Sequence, residues 1–391
     1  MTNLIFDLSN MFYRSMFIVG GYGTEQFTFD SQQEVDKLMR KVTTDISYII
    51  RQLNPSRVLF AIDSRSWRKD ISIDENDGYK ANRKKSEHLN WDNIFNTMKE
   101  FGDILDTNGF VVTKVETAEA DDIITLWRDE LLFNKNEHVI MVSADEDIRQ
   151  LAAFWPYTPG KMAFGTIYNP FSSGKTQKKL YVPKHFNEWL NKKESGDIFN
   201  RSIDVDKEEF FKLRDNENVL IEEINGEHIG LKKIFCGDDG DNVPAIHSWL
   251  NQKEKKVRIT NSKFIKILDL IKVSDYLDLF EPDNVKIIEE QLIKFSEPKI
   301  PTKNIRPLTF KIKDRLARQS KLVILSRNEF PEEILDGFDN IKETEYKRPY
   351  INAQECNLTS ILDGTRYINS SYKGNESSIF KDIDKINSKL F

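Results

Sequence analysis

Nine carboxylates stand out along the 391-residue chain. They are Asp7, Asp63, the triplet Glu119, Asp121 and Asp122, the pair Asp145 and Asp147, and Asp238 with Asp241. Brought together without cations, such a set repels itself and several members take raised pKa values. Divalent ions remove that cost. Hard oxygen ligands suit Mg²⁺ rather than zinc, with Mn²⁺ as a substitute. Two ions roughly 4 Å apart clamp a scissile phosphate, activating a water and stabilising the leaving oxygen. The chemistry indicated is metal-assisted phosphodiester hydrolysis. Each acid alone has a plainer reading as a strand-end cap, a turn residue or a first-turn helix acid. Their joint occurrence in this order is what favours a metal site.

The positioning elements can be read from the flanking residues. Four apolar runs end in acids: Asn3-Leu4-Ile5-Phe6-Asp7, Val58-Leu59-Phe60-Ala61-Ile62-Asp63, Val139-Ile140-Met141-Val142-Ser143-Ala144-Asp145 and Ile234-Phe235-Cys236-Gly237-Asp238. Length and β-branched content read at least three of them as buried parallel strands. Helical patterns over 35–53 and 123–132 alternate with them, which predicts a doubly wound α/β sheet. Ligands in such sheets bind beyond the carboxyl ends of the strands, where these acids lie. Glu119, Asp121 and Asp122 open a helix after Thr117. Glu119 and Asp122 share a face at i, i+3, and Asp121 points elsewhere unless the helix begins after it.

Between the second strand and the next helix, residues 64 to about 100 form a long excursion without strand signals. From 65 to 85 it carries Arg65, Arg68, Lys69, Lys80, Arg83, Lys84 and Lys85 against four acids, with Trp67 and Tyr79 interleaved. Bases contact phosphates and aromatics stack on unpaired nucleobases. A solvated charged surface is the alternative, but this segment leaves the sheet directly after Asp63 and must pass over the carboxylates. Residues 74–78 read as a mobile turn.

The remaining totals narrow the class. The net charge of −6 argues against a protein that simply coats nucleic acid. Two cysteines, Cys236 and Cys356, give neither a disulfide framework nor zinc spacing and suit a reducing, cytoplasmic compartment. Signal-peptide and membrane-span patterns are not found. The five histidines show no metal or triad spacing, and Gly174-Lys175-Thr176 lacks the full phosphate-loop pattern. Residues 156–230 read as an irregular insertion, 245–300 as helical and basic, and 305–345 as a closing α/β piece. In 253–272, Lys253, Lys255, Lys256, Arg258, Lys263, Lys266 and Lys272 face two acids, and Thr260-Asn261-Ser262 is placed to cap a helix. Duplex backbone contact and a plain basic helix are both open there. A linker over 364–378 precedes an apolar stripe of Ile379, Phe380, Ile383, Ile386, Leu390 and Phe391. That tail either docks on its own domain or binds a sliding clamp or single-strand-binding protein.

Taken together, these stretches resemble the flap endonuclease and 5′→3′ exonuclease superfamily with its PIN-like fold, and within it the phage ribonuclease H type of 5′ nuclease. The resemblance is carried by Ile5-Phe6-Asp7, Phe60-Ala61-Ile62-Asp63, Trp67-Arg68-Lys69-Asp70, Tyr79-Lys80-Ala81-Asn82-Arg83, Glu119-Ala120-Asp121-Asp122, Ser143-Ala144-Asp145-Glu146-Asp147 and Gly237-Asp238-Asp239-Gly240-Asp241-Asn242-Val243-Pro244, up to about residue 345. It implies a nuclease domain over 1–244, with a helical arch at about 64–100. A helical duplex-binding region with a closing segment follows over 245–345, then a tail over 346–391. It also implies two metal positions, one near Asp7, Asp63, Glu119, Asp121 and Asp145, the other near Asp122, Asp147, Asp238 and Asp241. Lys80 and Arg83 match the element that contacts the scissile phosphate. The implied activity is 5′ trimming of branched or nicked DNA–DNA and RNA–DNA duplexes by a monomer in phage replication and repair. After Pro244 the chain reads Ala245-Ile246-His247-Ser248-Trp249. This departs from the family's glycine loop and leaves its potassium site without the usual frame. A nonenzymatic branch-binding protein would need broken carboxylates, and none is missing. A ribonuclease for single-stranded RNA would not need the long basic excursion.

Overall fold

The computed structural model describes residues 2–20, 27–73, 78–83, 85–158, 161–171, 177–188, 219–250, 255–296, 312–348 and 358. Lys84, residues 74–77, Lys253, Gly174-Lys175-Thr176, residues 189–218 of the insertion and the linker and tail over 364–391 lie outside the described residues.

The chain begins with β1 (Thr2–Asp7), α1 (Leu8–Gly20), α2 (Gln32–Leu53) and β2 (Arg57–Ala61). After the excursion come α3 (Trp91–Thr107), β3 (Val111–Thr113), α4 (Ala120–Asp129) and β4 (His138–Val142). β1 is buried along its whole length, as a strand covered on both faces must be. It pairs in parallel with β2 on one side and β4 on the other. Successive residues of β1 point to opposite layers. Leu4 and Phe6 pack with α1, α2 and α3, and Ile5 packs with α4. The helix pattern read over 35–53 is α2, opened by a capping box between Ser31 and Glu34 and closed by Asn54 in the left-handed region.

The span read as an insertion extends the sheet. β5 (Ala153–Thr158), β6 (Lys161–Asn169), β7 (Lys178–Pro183) and β8 (Val219–Ile224) join it in the order β3-β2-β1-β4-β6-β7-β8, with β5 on β6. The pairs from β3 to β6 are parallel, β5–β6 and β6–β7 are antiparallel, and β7–β8 is parallel. The result is the expected α/β architecture with a mostly parallel sheet.

The fourth apolar run is not a strand. Ile234, Phe235 and Cys236 form the last turn of α5 (Gly226–Cys236), where Ile234 and Phe235 are fully buried. A short apolar run at the end of a helix has the same signature as a buried strand. Beyond it, β9 (Ser248–Leu250) and β10 (Lys256–Arg258) form an antiparallel ribbon, followed by α6 (Asn261–Leu268) and α7 (Pro282–Ser296). The closing piece is helical among the described residues: α8 (Ile312–Val323) and α9 (Glu332–Tyr346). Phe338 of α9 packs edge-on against Trp127 at 5.0 Å, so α9 covers the α4 face of the sheet. A third core joins α5, α6, α7 and α8 to Ile73 and Tyr79 of the excursion. Among the described residues, no helix is long and apolar enough to cross a membrane.

Candidate metal centre and nucleic-acid interface

The carboxylates assemble where the sheet ends. Asp7 closes β1, and its carboxylate accepts from the Asn10 backbone N–H at 2.9 Å and from the Ser143 hydroxyl at 2.9 Å. Ser143 Oγ in turn accepts from the Asp145 backbone N–H at 3.1 Å, which ties the ends of β1 and β4 together. Asp63 accepts from the Ala120 N–H at 2.7 Å, fixing the end of β2 to the start of α4. Burial pushes the Asp7 carboxyl up to about 8, helped by the charges of Asp63 and Asp145. Burial also raises Asp121 well above the usual carboxylate range, with Asp145 and Asp7 adding to it. Asp63 and Asp145 are raised too, again mainly by burial. These four acids, Asp7 buried and the other three half-buried, form a cluster of like charge.

The face of α4 that meets this cluster is the one carrying Asp121. Glu119 and Asp122 do share a face, as their spacing requires, but it is turned toward Arg68. The Arg68 guanidinium, 2% exposed, donates to Glu119 at 3.0 Å and to Asp122 at 2.8 Å. Asp122 also accepts from Trp67 Nε1 at 3.1 Å and from the Glu119 N–H at 3.0 Å. Its oxygens are fully engaged inside the protein, so Asp122 is set apart from Asp7, Asp63, Asp121 and Asp145. Arg68, expected on phosphate, is a buried ion-pair partner instead. The difference follows from the 3₁₀ turn Trp67–Asp70, which folds Trp67 and Arg68 inward.

The excursion crosses the carboxylates, but its helical character is not found among the described residues. Between Asp63 and Trp91 they contain that one 3₁₀ turn and loops. Lys80 has φ 59, which no right-handed helix accommodates. The Lys80 backbone N–H donates to the Asp241 carbonyl at 2.9 Å, and Asn242 Nδ2 donates to the Gly78 carbonyl at 2.7 Å. Asn82 Nδ2 reaches the Asp239 carbonyl at 2.6 Å. Tyr79, expected to stack on a base, is buried in the third core, with its hydroxyl on Asp241 at 2.9 Å. Lys80 Nζ lies 2.5 Å from Glu119 Oε1 and 3.8 Å from Asp241 Oδ2. Burial works against ionisation of Glu119, but the charges of Lys80 and Arg68 outweigh it and hold the carboxyl below its ordinary value. Arg83 pairs with Asp241 through Nη2 and reaches the Gly240 carbonyl.

The remaining acids sit on two loops. Asp147 follows β4, and Asp238 and Asp241 follow α5. A φ of +75 at Gly237 ends α5, and a Cβ there would lie 2.5 Å from the Val243 carbonyl oxygen. That glycine therefore permits the tight Asp238–Val243 bridge that presents both acids. One ligand oxygen from each of Asp147, Asp238 and Asp241 lies within 4.8 Å of the other two. Sequence reasoning missed Lys233, whose ammonium pairs with both Asp147 and Asp238. The only signal was a base in the turn before the Gly237-Asp238 loop.

Among the other expected contacts, Arg65, Lys69, Lys85, Lys255, Lys256, Arg258 and Lys266 are exposed. Arg65 pairs with Asp70 at 2.7 Å, and Lys85 lies over the rings of Phe95 and Trp91. Arg258 binds both oxygens of Asp239, which gives that acid a structural partner. Lys263 is half-buried, its ammonium 3.9 Å from the centre of the Trp249 ring. Thr260 occupies the N-cap position of α6 without a side-chain cap bond.

Residues 2–158 match the family described as 5′-3′ exonuclease, N-terminal resolvase-like domain. A comparison with curated proteins returns no match. Among solved structures, the chain is similar to a bacteriophage T5 protein co-crystallised with metal ions, at 15% identity and TM-score 0.47, covering 93% of this chain and 99% of that one. It is similar to the T5 flap endonuclease in a pseudo-enzyme-product complex with DNA and metal ions, at 14% identity and TM-score 0.45, covering 89% and 100%. The T5 5′-exonuclease with bound zinc gives 16% identity and TM-score 0.46, covering 93% and 99%. The family match over residues 2–158 spans the parallel strands β1, β2 and β4, at or just beyond whose carboxyl ends Asp7, Asp63 and Asp145 lie.

Proposed function

We propose that this chain is a metal-dependent 5′ nuclease that hydrolyses phosphodiesters at 5′ ends and branches of DNA–DNA and RNA–DNA duplexes, in phage replication and primer removal. The observation that carries the reading is the clustering of Asp7, Asp63, Asp121 and Asp145 at the end of the sheet, whose raised carboxyl pKa values express an unmet need for cationic charge. The donor set is hard oxygen throughout, which suits Mg²⁺ or Mn²⁺. Those four acids would hold one ion, and Asp147, Asp238 and Asp241 a second, with Glu119 on the border through Lys80. When bound, the ions would supply an activated water and charge stabilisation on the scissile phosphate.

The protein's own groups divide the remaining work. Asp122 and Arg68 fix α4, so that Asp121 faces inward. Lys80 and Arg83, held over the acids by the crossing segment, would meet the non-bridging oxygens as negative charge develops. Lys69, Lys85 and Arg65, together with Lys84, would follow a 5′ strand. The ribbon and α6, bearing Lys255, Lys256, Arg258, Lys263 and Lys266, would contact duplex backbone without reading sequence. The division at about 244 and 345, action as a monomer and recruitment of a sliding clamp or single-strand-binding protein by the tail are part of the same proposal.

The test is cleavage of 5′-labelled flaps and of nicked RNA–DNA and DNA–DNA duplexes, with Mg²⁺ or EDTA. Short 5′ products are expected only with Mg²⁺. Lys80→Ala is expected to lower kcat about 10²-fold with little change in duplex affinity. Tight branch binding with no cleavage in either Mg²⁺ or Mn²⁺ would leave a binding protein and remove the enzymatic reading.

A further inference from the structure

The two halves of the centre differ in how their charge is met. Among the described residues, Asp7, Asp63 and Asp121 make no ion pair within 4.0 Å, and neither does Asp145. The other half is paired throughout by the protein itself. Asp241 meets Arg83 and Lys80, and Asp147 and Asp238 share Lys233. Lys233 Nζ lies 2.5 Å from Asp238 Oδ2 and also bonds Asp147 Oδ1. Its side chain is 17% exposed. The backbone beneath it is fixed, because the Lys233 carbonyl accepts the N–H of Gly237 that closes α5. The ammonium thus lies between two of three acids whose ligand oxygens all fall within 4.8 Å of one another, the compass of a cation's coordination shell.

We propose that Lys233 is a tethered counterion for the second metal position. It holds Asp147 and Asp238 together when no ion is bound, and it must leave them before a divalent ion can use both. This inference rests on the metal-dependent reading above. Its consequence is an order of loading. The first ion enters the unpaired half, where nothing has to be displaced. The second enters against Lys233 and binds more weakly. The four-carbon stem allows the ammonium to swing away while α5 stays in place.

The experiment is calorimetric titration of the full chain with Mn²⁺, without nucleic acid, for wild type, Lys233→Met and Lys233→Gln, alongside melting in EDTA. Wild type is expected to take up two ions of distinct affinity. Either variant should bind the second ion about tenfold more tightly, with a smaller gain at the first, because Lys233 is at contact distance from Asp147 and Asp238 and acts on Asp145 only through its longer-range charge. Both variants should melt earlier than wild type in EDTA and recover in Mn²⁺. Second-ion affinity that is unchanged or weaker in a folded variant overturns the role of Lys233 and leaves the nuclease reading intact. A wild-type chain that takes up no Mn²⁺ overturns both. Should Lys233→Met fail to fold without metal, Lys233→Gln, which keeps a polar donor for the two acids, decides the matter.

Discussion

Asp121→Asn is expected to lower Mg²⁺-dependent cleavage at least about 10³-fold, near 4 kcal/mol of activation free energy, while making the metal-free protein more stable. Both effects have one cause. Asp121 is half-buried beside Asp145 and Asp7, so its charge is costly in the empty centre and useful once an ion is present. Asparagine keeps the shape and removes the charge. Melting in EDTA should show the variant above wild type, and in Mg²⁺ the order should narrow or reverse. A variant that is less stable in both conditions would mean that Asp121 is a structural acid.

The same cluster sets a pH dependence. A carboxyl raised from its unfolded value of 3.8 to about 8, as Asp7 is, binds more protons in the folded state than in the unfolded state between those limits. Stability of the metal-free protein is therefore full below pH 4 on this account and declines as pH rises toward 8. Wild type in EDTA should melt several degrees lower at pH 8.5 than at pH 5.5. Mg²⁺ should flatten the difference, because it favours the ionised form in the folded state alone.

Arg68→Ala is expected to cost about 3–5 kcal/mol of stability, because it leaves two buried carboxylates without their cation. Glu119 retains Lys80, so the larger loss falls on Asp122, which is 0% exposed. Urea unfolding measures the cost. The contrast with Lys69→Ala is informative, because Lys69 is exposed and its loss should leave stability within about 0.5 kcal/mol. If Arg68 were a phosphate contact, the two variants would behave alike in unfolding and differ only in nucleic-acid affinity.

These two cases show what the sequence could and could not reveal. The ends of β1, β2 and β4 were legible, because a fully buried parallel strand is a continuous apolar run and each stops at an acid. The fourth run was ambiguous for the same reason, since Ile234 and Phe235 are as buried in a helix as they would be in a strand. The i, i+3 relation of Glu119 and Asp122 was also legible. Which face of α4 met Asp7, Asp63 and Asp145 depended on a partner 51 to 54 residues away, Arg68, and no local pattern reports that. The bases and aromatics of the excursion were visible as a set. Their division into exposed Lys69 and Lys85 and buried Arg68 and Tyr79 is decided by a 3₁₀ turn and a helical core elsewhere in the chain. Lys233 carried no signal beyond its position, because a lysine in a last helical turn is ordinary.

The stitching of the crossing segment to the loop after α5 sets a schedule for the molecule as it is made. Tyr79 and Asp241 are 162 residues apart in sequence. Until Asp241 has left the ribosome, Lys80, Tyr79 and Arg83 lack the partner that draws them over Asp7 and Asp63. At 5–20 residues per second, the interval between the first acid and the last is roughly 10–50 s. During that time the growing chain has the strands of the sheet without a complete carboxylate centre. The carboxylate centre is therefore completed only after Asp241, the 241st of 391 residues, has emerged.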